Sequence, residues 1–307
     1  MIRTTFTVPG DAGPLTGLRW GGDDPDRSTV LLVHGTGFCA SVWNAVALDL
    51  VDDFDVVALD RRGHGGSVKP DDTYDFEDFA DDIETLIDAF DLDGAFGLGH
   101  SAGGTDLLLA AARRPGAFER LVVIEPTLMD PDDPGRDLAS SPGPDQAELE
   151  NMSRRRATFP SRQAALDRLD GRGIFTGWRR ELLEAYVADA FEERPDGEVA
   201  LCCSPMLEGA MLRRIAAAMN GTHPAGTFER VREISCPTLI ATTEHSNPSY
   251  ARMADVALRL VPGAFLEHLP GVGHAVPQVA PETVAALARR FWTSPGVTAP
   301  VPGDGPP

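Results

Sequence analysis

The chain has 307 residues, of which 42% are hydrophobic, so it is long enough to bury one large core. Its 47 acidic side chains outnumber its 27 basic ones and give a formal net charge of -20 at pH 7. A charge of this sign repels phosphate backbones and anionic lipid surfaces, which argues against nucleic acid and membranes as partners.

The amino terminus alternates polar and apolar residues like a β-strand, and it lacks the long apolar stretch of a signal peptide. No apolar run approaches the length of a membrane span. We therefore expect the protein to be cytoplasmic. Its four cysteines have neither the spacing of a metal site nor the density of a disulfide scaffold, and we expect them to be reduced.

Apolar runs alternate with helical periodicities over the first 125 residues, which is typical of a mostly parallel sheet with helices on both faces. Continuous apolar runs predict strands that are buried on both sides. These runs lie at 29–34, 55–60, 95–99 and 121–125. An amphipathic pattern over 76–90 predicts a helix whose aromatic residues belong to the core.

The strand rhythm stops between residues 127 and 234, where turn-rich sequence is followed by helical stretches at 163–169 and 178–191. We interpret this segment as a helical cap inserted into a core formed by residues 1–126 and 235–293. The parallel pattern resumes after the cap, with strands at 236–243 and 264–269 and helices at 250–260 and 281–292. Residues 294–307 are rich in Pro and Gly and are predicted to be disordered.

The segment Gly99-His100-Ser101-Ala102-Gly103-Gly104 lies between a predicted strand and a predicted helix. In the pattern G-x-S-x-G, small residues allow a strained turn that exposes the serine hydroxyl and aims the next N–H at the reacting carbonyl. Ser101 is therefore the predicted nucleophile, and the Ala102 amide is one predicted oxyanion donor. The second donor is expected from the Gly-rich loop after the strand at 29–34, at the Thr36 amide or, as alternatives, at Gly37 or Phe38.

A serine hydroxyl is a weak nucleophile at neutral pH and requires a base within hydrogen-bond reach. Among the seven histidines, His274 is the best candidate because Gly271 and Gly273 free a loop after the last strand. His268 lies in a predicted strand, and His223 lies in the cap. The motif loops contain His34, His64 and His100, and His245 lies beside a candidate acid without a loop to carry it.

The order of these motifs resembles that of the α/β-hydrolase superfamily over nearly the whole chain outside the cap. The motifs are His34-Gly35, Asp60-Arg61-Arg62-Gly63-His64-Gly65-Gly66-Ser67, the serine turn and Gly271-Val272-Gly273-His274. The resemblance implies the α/β-hydrolase fold, with an eight-stranded, mostly parallel sheet and a cap after strand six. It also implies hydrolysis through an acyl-enzyme, with no metal or organic cofactor.

The acid departs from the commonest family pattern, in which an aspartate follows the seventh strand. This stretch reads Thr243-Glu244-His245-Ser246, with serine where aspartate is expected. Glu125 closes the strand at 121–125 and would emerge at the same sheet edge as Ser101, so we expect it to hold the imidazole. Glu244 is the alternative acid. An acid at this sixth-strand position resembles that of zearalenone lactonases and of one group of haloalkane dehalogenases.

Serine as the nucleophile argues against epoxide hydrolase and haloalkane dehalogenase chemistry, which needs a carboxylate there. We expect a neutral, hydrophobic carboxylic ester or lactone as substrate, and the resemblance suggests a macrolactone such as zearalenone. A C–C bond hydrolase, a cofactor-free oxygenase or a haloperoxidase-like enzyme remains an alternative within the fold. A non-catalytic small-molecule receptor is the alternative from another class, and association into a homodimer is left open.

The residues predicted to contact substrate come from the motif loops and from apolar and aromatic side chains of the cap. They are Gly35, Phe38, His100, Thr127, Met152, Phe159, Trp178, Tyr186 and Met206.

Overall fold

The central element of the computed structural model is an eight-stranded sheet, and the structure describes residues 3–22, 26–132, 150, 153–219 and 226–297. The sheet strands are β1 (Arg3–Gly10), β2 (Gly13–Trp20), β3 (Thr29–Val33), β4 (Asp55–Asp60), β5 (Ala95–His100), β6 (Phe118–Ile124), β10 (Thr238–Thr243) and β11 (Phe265–Leu269). Their spatial order is β1-β2-β4-β3-β5-β6-β10-β11. Only the β1–β2 and β2–β4 pairs are antiparallel, so the predicted fold class is confirmed.

Helices cover both faces of the sheet because successive strand residues point in opposite directions. Val30 and Leu32 belong to one buried cluster, whereas Leu31 and Val33 belong to the other. The helices are α1 (Asn44–Leu50), α2 (Phe76–Phe90), α3 (Ala102–Arg113), α4 (Arg162–Leu169), α5 (Arg180–Asp189), α6 (Pro205–Met219), α7 (Pro248–Leu260), α8 (Val276–Val279) and α9 (Pro281–Thr293). The first cluster includes α1 and α9, and the second includes α2, α3 and α7.

A buried ion pair joins the loop after β4 to helix α2. The Arg62 guanidinium donates to both carboxylate oxygens of Asp82, at 2.7 and 2.8 Å. Both side chains are buried, so removing either partner would leave an uncompensated charge. The pair fixes the position of α2, whose first turns face the candidate site described below.

The segment between β6 and β10 contains more than helices. Helices α4 and α5 lie close to the predicted helical stretches, but the sequence analysis missed α6 and a small antiparallel sheet. That sheet has the order β7-β9-β8, with strands Thr158–Phe159 (β7), Phe191–Glu193 (β8) and Val199–Leu201 (β9). Strands of two or three residues are too short to produce an alternating pattern, which is why the sequence indicated only the helices of this segment.

The sequence analysis also predicted the boundaries of the cap and a disordered carboxy-terminal tail. The domain boundaries at residues 126 and 234 remain predictions. The predicted disordered tail lies mostly outside the described residues, which end at Val297, four residues after the end of α9. Over the described ranges, no helix combines the length and the hydropathy that crossing a bilayer requires.

Candidate active site

Ser101 occupies a strained turn between β5 and α3. Its backbone has φ 54° and ψ -126°, a left-handed conformation that is costly for a residue with a side chain. Two neighbouring glycines make the turn possible: a Cβ at Gly99 would lie 2.5 Å from the Gly104 Cα, and one at Gly103 would lie 2.4 Å from the Val33 carbonyl oxygen. The sequence therefore folds locally into the strand-turn-helix arrangement that presents a nucleophilic hydroxyl.

Glu125 directly follows β6, and its carboxylate accepts a hydrogen bond from His274. The Nδ1 and Oε2 atoms are 2.6 Å apart, and Glu125 is only 1% exposed. Its backbone is also left-handed, with φ 48°. The other hydrogen bonds to the carboxylate come from the end of β10 and the loop after it: the Thr243 amide and hydroxyl donate to Oε1 at 3.1 and 2.7 Å, and the Ser246 hydroxyl donates to Oε2 at 2.8 Å.

These hydrogen bonds decide the charge of Glu125. Burial by itself raises the pKa of the carboxyl, but the hydrogen bonds from His274, Thr243 and Ser246 outweigh it and hold the pKa below its ordinary value. Glu125 is therefore ionised at neutral pH, where it fixes the Nδ1–H tautomer of His274 and leaves Nε2 as an acceptor.

Glu244, the alternative acid, is exposed and serves a different purpose. Its carboxylate accepts the Gly271 amide at 2.7 Å, and the His245 amide donates to the Val272 carbonyl at 2.9 Å. These contacts tie the loop carrying His274 to the loop after β10. The structure thus brings Glu125 rather than Glu244 to the imidazole, and Ser246 stands where the aspartate was expected.

Thr36 and Ala102, the predicted oxyanion donors, both line one small cavity, which is described below. The neighbouring Gly35 packs against the nucleophile, since a Cβ there would lie 3.1 Å from the Ser101 Cβ. Gly37 does not share this role, because its amide donates to His64 Nε2 at 2.9 Å. The alternatives Gly37 and Phe38 are therefore wrong: the Phe38 amide is also engaged, with the Gly35 carbonyl at 3.3 Å.

Three buried histidines hold the loops around the nucleophile. Burial lowers the pKa of His34, His64 and His100, and for His64 the value falls to about 3. They are neutral at pH 7, so each ring can donate from one nitrogen. Ring nitrogens of His34 and His64 accept the backbone amides of Arg61 and Gly37, whereas His100 donates to the His274 carbonyl at 2.8 Å.

The cavity lined by Thr36 and Ala102 is narrow and mostly apolar, with a volume of about 10 Å³, roughly the room for one water molecule. Helices α2 and α6 supply most of its wall. The lining residues are Thr36, Arg61, Tyr74, Phe76, Phe79, Ala102, Met211, Arg214 and Ile215. The sequence analysis placed Phe76 and Phe79 in the core only, and it did not predict α6, which contributes Met211, Arg214 and Ile215.

Arg61 brings a positive charge to the cavity, but Asp106 neutralises it. The guanidinium donates to the two Asp106 oxygens at 2.5 and 3.2 Å, and it lies 4.0 Å from the centre of the Phe79 ring. Both partners of the pair are buried. Burial raises the pKa of Asp106 to about 6 despite the nearby Arg61.

Several residues predicted to contact substrate lie elsewhere. Phe38, Trp178 and Tyr186 form an aromatic cluster behind the Thr36 loop, with ring centres 5.4 to 6.2 Å apart, and the Tyr186 hydroxyl donates to the Gly37 carbonyl at 3.1 Å. Phe159 packs against Phe191 at 5.7 Å. None of these four residues lines the cavity, because their rings pack in the hydrophobic core instead.

The remaining predicted contacts also have defined places. Met206 is 70% exposed and does not line this cavity. Thr127 is buried, and its carbonyl accepts the Thr105 hydroxyl at 2.8 Å. Met152 lies outside the described residues. Among the residues that the structure describes, no group of three His, Cys, Asp or Glu side chains is arranged to hold a metal ion.

Comparison with known proteins agrees with this architecture. A family model described as "Alpha/beta hydrolase family" matches residues 30–287. The chain is 27% identical over 271 residues to a non-heme chloroperoxidase of Streptomyces lividans, covering 84% of this chain and 89% of the relative. It is also 27% identical over 273 residues to a 2-(acetamidomethylene)succinate hydrolase of Mesorhizobium japonicum, covering 85% and 87%.

Structural similarity extends over almost the whole molecule. The crystal structure of an E-2-(acetamidomethylene)succinate hydrolase superposes with a TM-score of 0.71 at 22% identity, covering 94% of this chain and 99% of the other. At this identity the superposition shows the shared fold. Since the family model also spans most of the sequence, the protein belongs to the alpha/beta hydrolase family.

Proposed function

We propose that the protein is a serine hydrolase that cleaves a carboxylic ester or lactone through an acyl-enzyme on Ser101. The single observation that carries the proposal is the 2.6 Å contact between His274 Nδ1 and the buried Glu125 carboxylate, next to the strained serine turn. A fixed imidazole close to a serine hydroxyl is the arrangement that activates serine at neutral pH.

In the first half of the reaction, Ser101 Oγ forms a bond to the substrate carbonyl carbon while its proton passes to His274 Nε2. The tetrahedral intermediate then loses its alcohol oxygen, which receives the proton from His274. Glu125 remains ionised and stabilises the imidazolium that forms between these steps. In the second half, water repeats the sequence on the acyl-enzyme and restores the free Ser101 hydroxyl.

The negative oxygen of each intermediate needs donors that are already in position. The amides of Thr36 and Ala102 are suited to this role, since Ala102 directly follows Ser101 and both residues line one cavity. Loss of one such donor in comparable sites costs about 10²- to 10³-fold in rate. The Gly37–His64 hydrogen bond supports the role indirectly, because it fixes the loop that carries the Thr36 amide.

The cavity indicates the kind of acyl group. Its wall is mostly apolar, and both of its arginines face a carboxylate, Arg61 that of Asp106 and Arg214 that of Asp75 at 3.9 Å, so a neutral hydrophobic group fits better than an anionic one. Sites for drug-sized ligands have about 300–1,000 Å³. A cavity of about 10 Å³, which is about the room that one water molecule needs, favours a short or branched acyl chain over a macrolactone such as zearalenone, which remains the larger alternative.

A fluorophosphonate probe tests the mechanism, because it reacts only with an activated serine. We expect the wild-type protein to be labelled and to hydrolyse p-nitrophenyl esters with the highest kcat/KM for short acyl groups. The Ser101→Ala variant should show neither reaction. Absence of labelling in the folded wild type would contradict the proposal and would favour a binding protein. Turnover of zearalenone in preference to every short ester would overturn the acyl-group assignment alone.

A second candidate activity rests on the relative from Streptomyces lividans that is named a non-heme chloroperoxidase. The same nucleophile and oxyanion donors would be used. Chlorination of an organic acceptor in the presence of a carboxylic acid, hydrogen peroxide and chloride would detect this activity. Chlorination that persists in Ser101→Ala would exclude the proposed site as its origin.

A further inference from the structure

Tyr250 contacts both the candidate nucleophile and the candidate base. It lies in the first turn of α7, and its ring stacks on the His274 imidazole with centres 4.2 Å apart and an angle of 16° between the planes. The phenol hydroxyl lies close enough to the Ser101 side chain for the two groups to interact, and this contact favours the ionised phenol. One side chain thus bridges the two groups that must exchange a proton.

The local sequence fixes this placement. Asn247 caps α7 by accepting the Ser249 amide at 2.9 Å, and Pro248 occupies the first helical position. Helix α7 begins only five residues after β10 ends, so its first turn lies at the same sheet edge as Ser246, which holds the Glu125 carboxylate. The capped first turn therefore fixes the backbone that carries Tyr250 at this edge of the sheet.

The imidazole of His274 is held from three directions. The Tyr250 ring stacks on the imidazole. The His100 ring also contacts the imidazole, with ring centres 4.5 Å apart and an angle of 44° between the planes. Glu125 holds it in the plane of the ring through Nδ1. Stacking supplies orientation without competing for Nε2, which must remain available for proton transfer.

We propose that Tyr250 is a further catalytic residue of this site, and the inference rests on the proposed hydrolase function. Its hydroxyl donates a hydrogen bond to Ser101 Oγ and stabilises that oxygen as it leaves the acyl-enzyme. Its ring keeps the His274 imidazole in the plane from which Nε2 can deliver the proton.

The balance of the second half-reaction explains why the hydroxyl matters there. A bond forms between the water oxygen and the acyl carbon, and the bond between that carbon and Ser101 Oγ breaks. The proton leaves water for His274 Nε2 and then passes to Oγ. Negative charge builds on Oγ before that proton arrives, so a donor aimed at Oγ lowers the barrier.

The phenol is suited to donate rather than accept. Burial raises the pKa of Tyr250 to about 12, the Glu125 carboxylate acts in the same direction, and the contact with Ser101 opposes them. Tyr250 therefore keeps its proton at neutral pH. In acylation the same hydrogen bond draws electron density from the attacking oxygen, so the net benefit is expected mainly in deacylation.

Tyr250→Phe tests the hydroxyl because it keeps the stacked ring. With p-nitrophenyl acetate in stopped flow, we expect deacylation to slow by about 10- to 100-fold, the range for losing one hydrogen bond to a charged oxygen. Acylation should change by less than about threefold. The acyl-enzyme then accumulates, so the burst of p-nitrophenol should approach one equivalent per active site.

Tyr250→Leu tests the ring, and Phe265→Leu is the matched control. Phe265 lies at the exposed start of β11 and makes an edge-to-face contact with Phe291, with ring centres 5.5 Å apart, away from the site. We expect fluorophosphonate labelling to slow by roughly tenfold or more in Tyr250→Leu, but not in Tyr250→Phe or Phe265→Leu. Far-ultraviolet circular dichroism checks that each variant is folded.

The outcomes separate this inference from the proposed function. Wild-type turnover that needs Ser101, together with a larger burst in Tyr250→Phe, supports the inference. Wild-type turnover with an unchanged deacylation rate in Tyr250→Phe overturns the role of the hydroxyl and leaves the hydrolase function intact. Absence of Ser101-dependent turnover in the folded wild type overturns both.

Discussion

Replacing Glu125 by glutamine is the sharpest test of the proposed triad, because the side chain keeps its size and loses its charge. The carboxylate accepts four hydrogen bonds, from His274, from Ser246 and two from Thr243. An amide has only one oxygen to accept them. If that oxygen faces Thr243, the NH₂ group faces His274 Nδ1 and selects the tautomer whose Nε2 carries a proton and cannot accept the serine proton.

The expected loss follows from this wrong tautomer. Neutralising a triad acid costs about 10⁴-fold in kcat, which corresponds to about 5.4 kcal/mol of transition-state stabilisation. The buried amide also leaves donors poorly paired and should lower the free energy of unfolding by about 1–3 kcal/mol. Steady-state hydrolysis of p-nitrophenyl acetate, normalised to the folded fraction from urea unfolding, measures the first effect without the second.

Glu244→Gln is the matched control, since this exposed carboxylate accepts only a loop amide, that of Gly271. We expect its kcat to remain within about threefold of the wild type. A Glu125→Gln enzyme within tenfold of the wild type would refute the assignment of the acid. A larger loss in Glu244→Gln than in Glu125→Gln would refute it as well, and would identify Glu244 as the group that orients His274.

Three further predictions concern the groups around the triad. His64 has a folded-state pKa of about 3, so between pH 6.5 and 3 the unfolded chain binds more protons, and stability falls as the pH decreases. At pH 5 the loss from His64 should be about 2 kcal/mol, and urea unfolding of His64→Gln should show a correspondingly shallower pH dependence. Ser246→Ala removes one hydrogen bond from Glu125 and should lower kcat by about 5- to 20-fold with little change in KM, measured by ester hydrolysis. Asp106→Asn leaves the buried Arg61 uncompensated and should cost about 3–5 kcal/mol of unfolding free energy, whereas the apolar double variant Asp106→Leu/Arg61→Met should recover most of it in the same denaturation assay.

The parts of the fold with strong local signals could be predicted from the sequence. Strands β3, β4 and β5 are continuous apolar runs because both faces of the sheet are covered, and that pattern has no other ready explanation. The turn at Ser101 carries its own signature, since only small residues fit where Gly99 and Gly103 approach other backbone atoms. Local sequence is informative where a local steric requirement selects the residue.

The parts that failed depend on contacts between distant segments. Trp178 and Tyr186 were assigned to a substrate pocket because they are aromatic and lie in the cap, but their rings pack behind the Thr36 loop. The residue type alone does not distinguish an aromatic ring that contacts substrate from one that packs in the core. Tyr250 shows the same limitation in reverse, since nothing in its sequence neighbourhood indicates a contact with Ser101 or His274.

The position of the acid follows from the geometry of neighbouring parallel strands. Strands β6 and β10 pair in parallel, with Ile124 opposite Ala241, and the Glu125 amide extends the ladder to the Ala241 carbonyl at 2.9 Å. Their carboxyl ends therefore lie side by side, and a carboxylate after either strand can approach the same imidazole. Glu125 occupies the position after β6, so Ser246 can occupy the position after β10. That serine then donates to the carboxylate instead of replacing it, so its presence after β10 is the complement of the acid after β6.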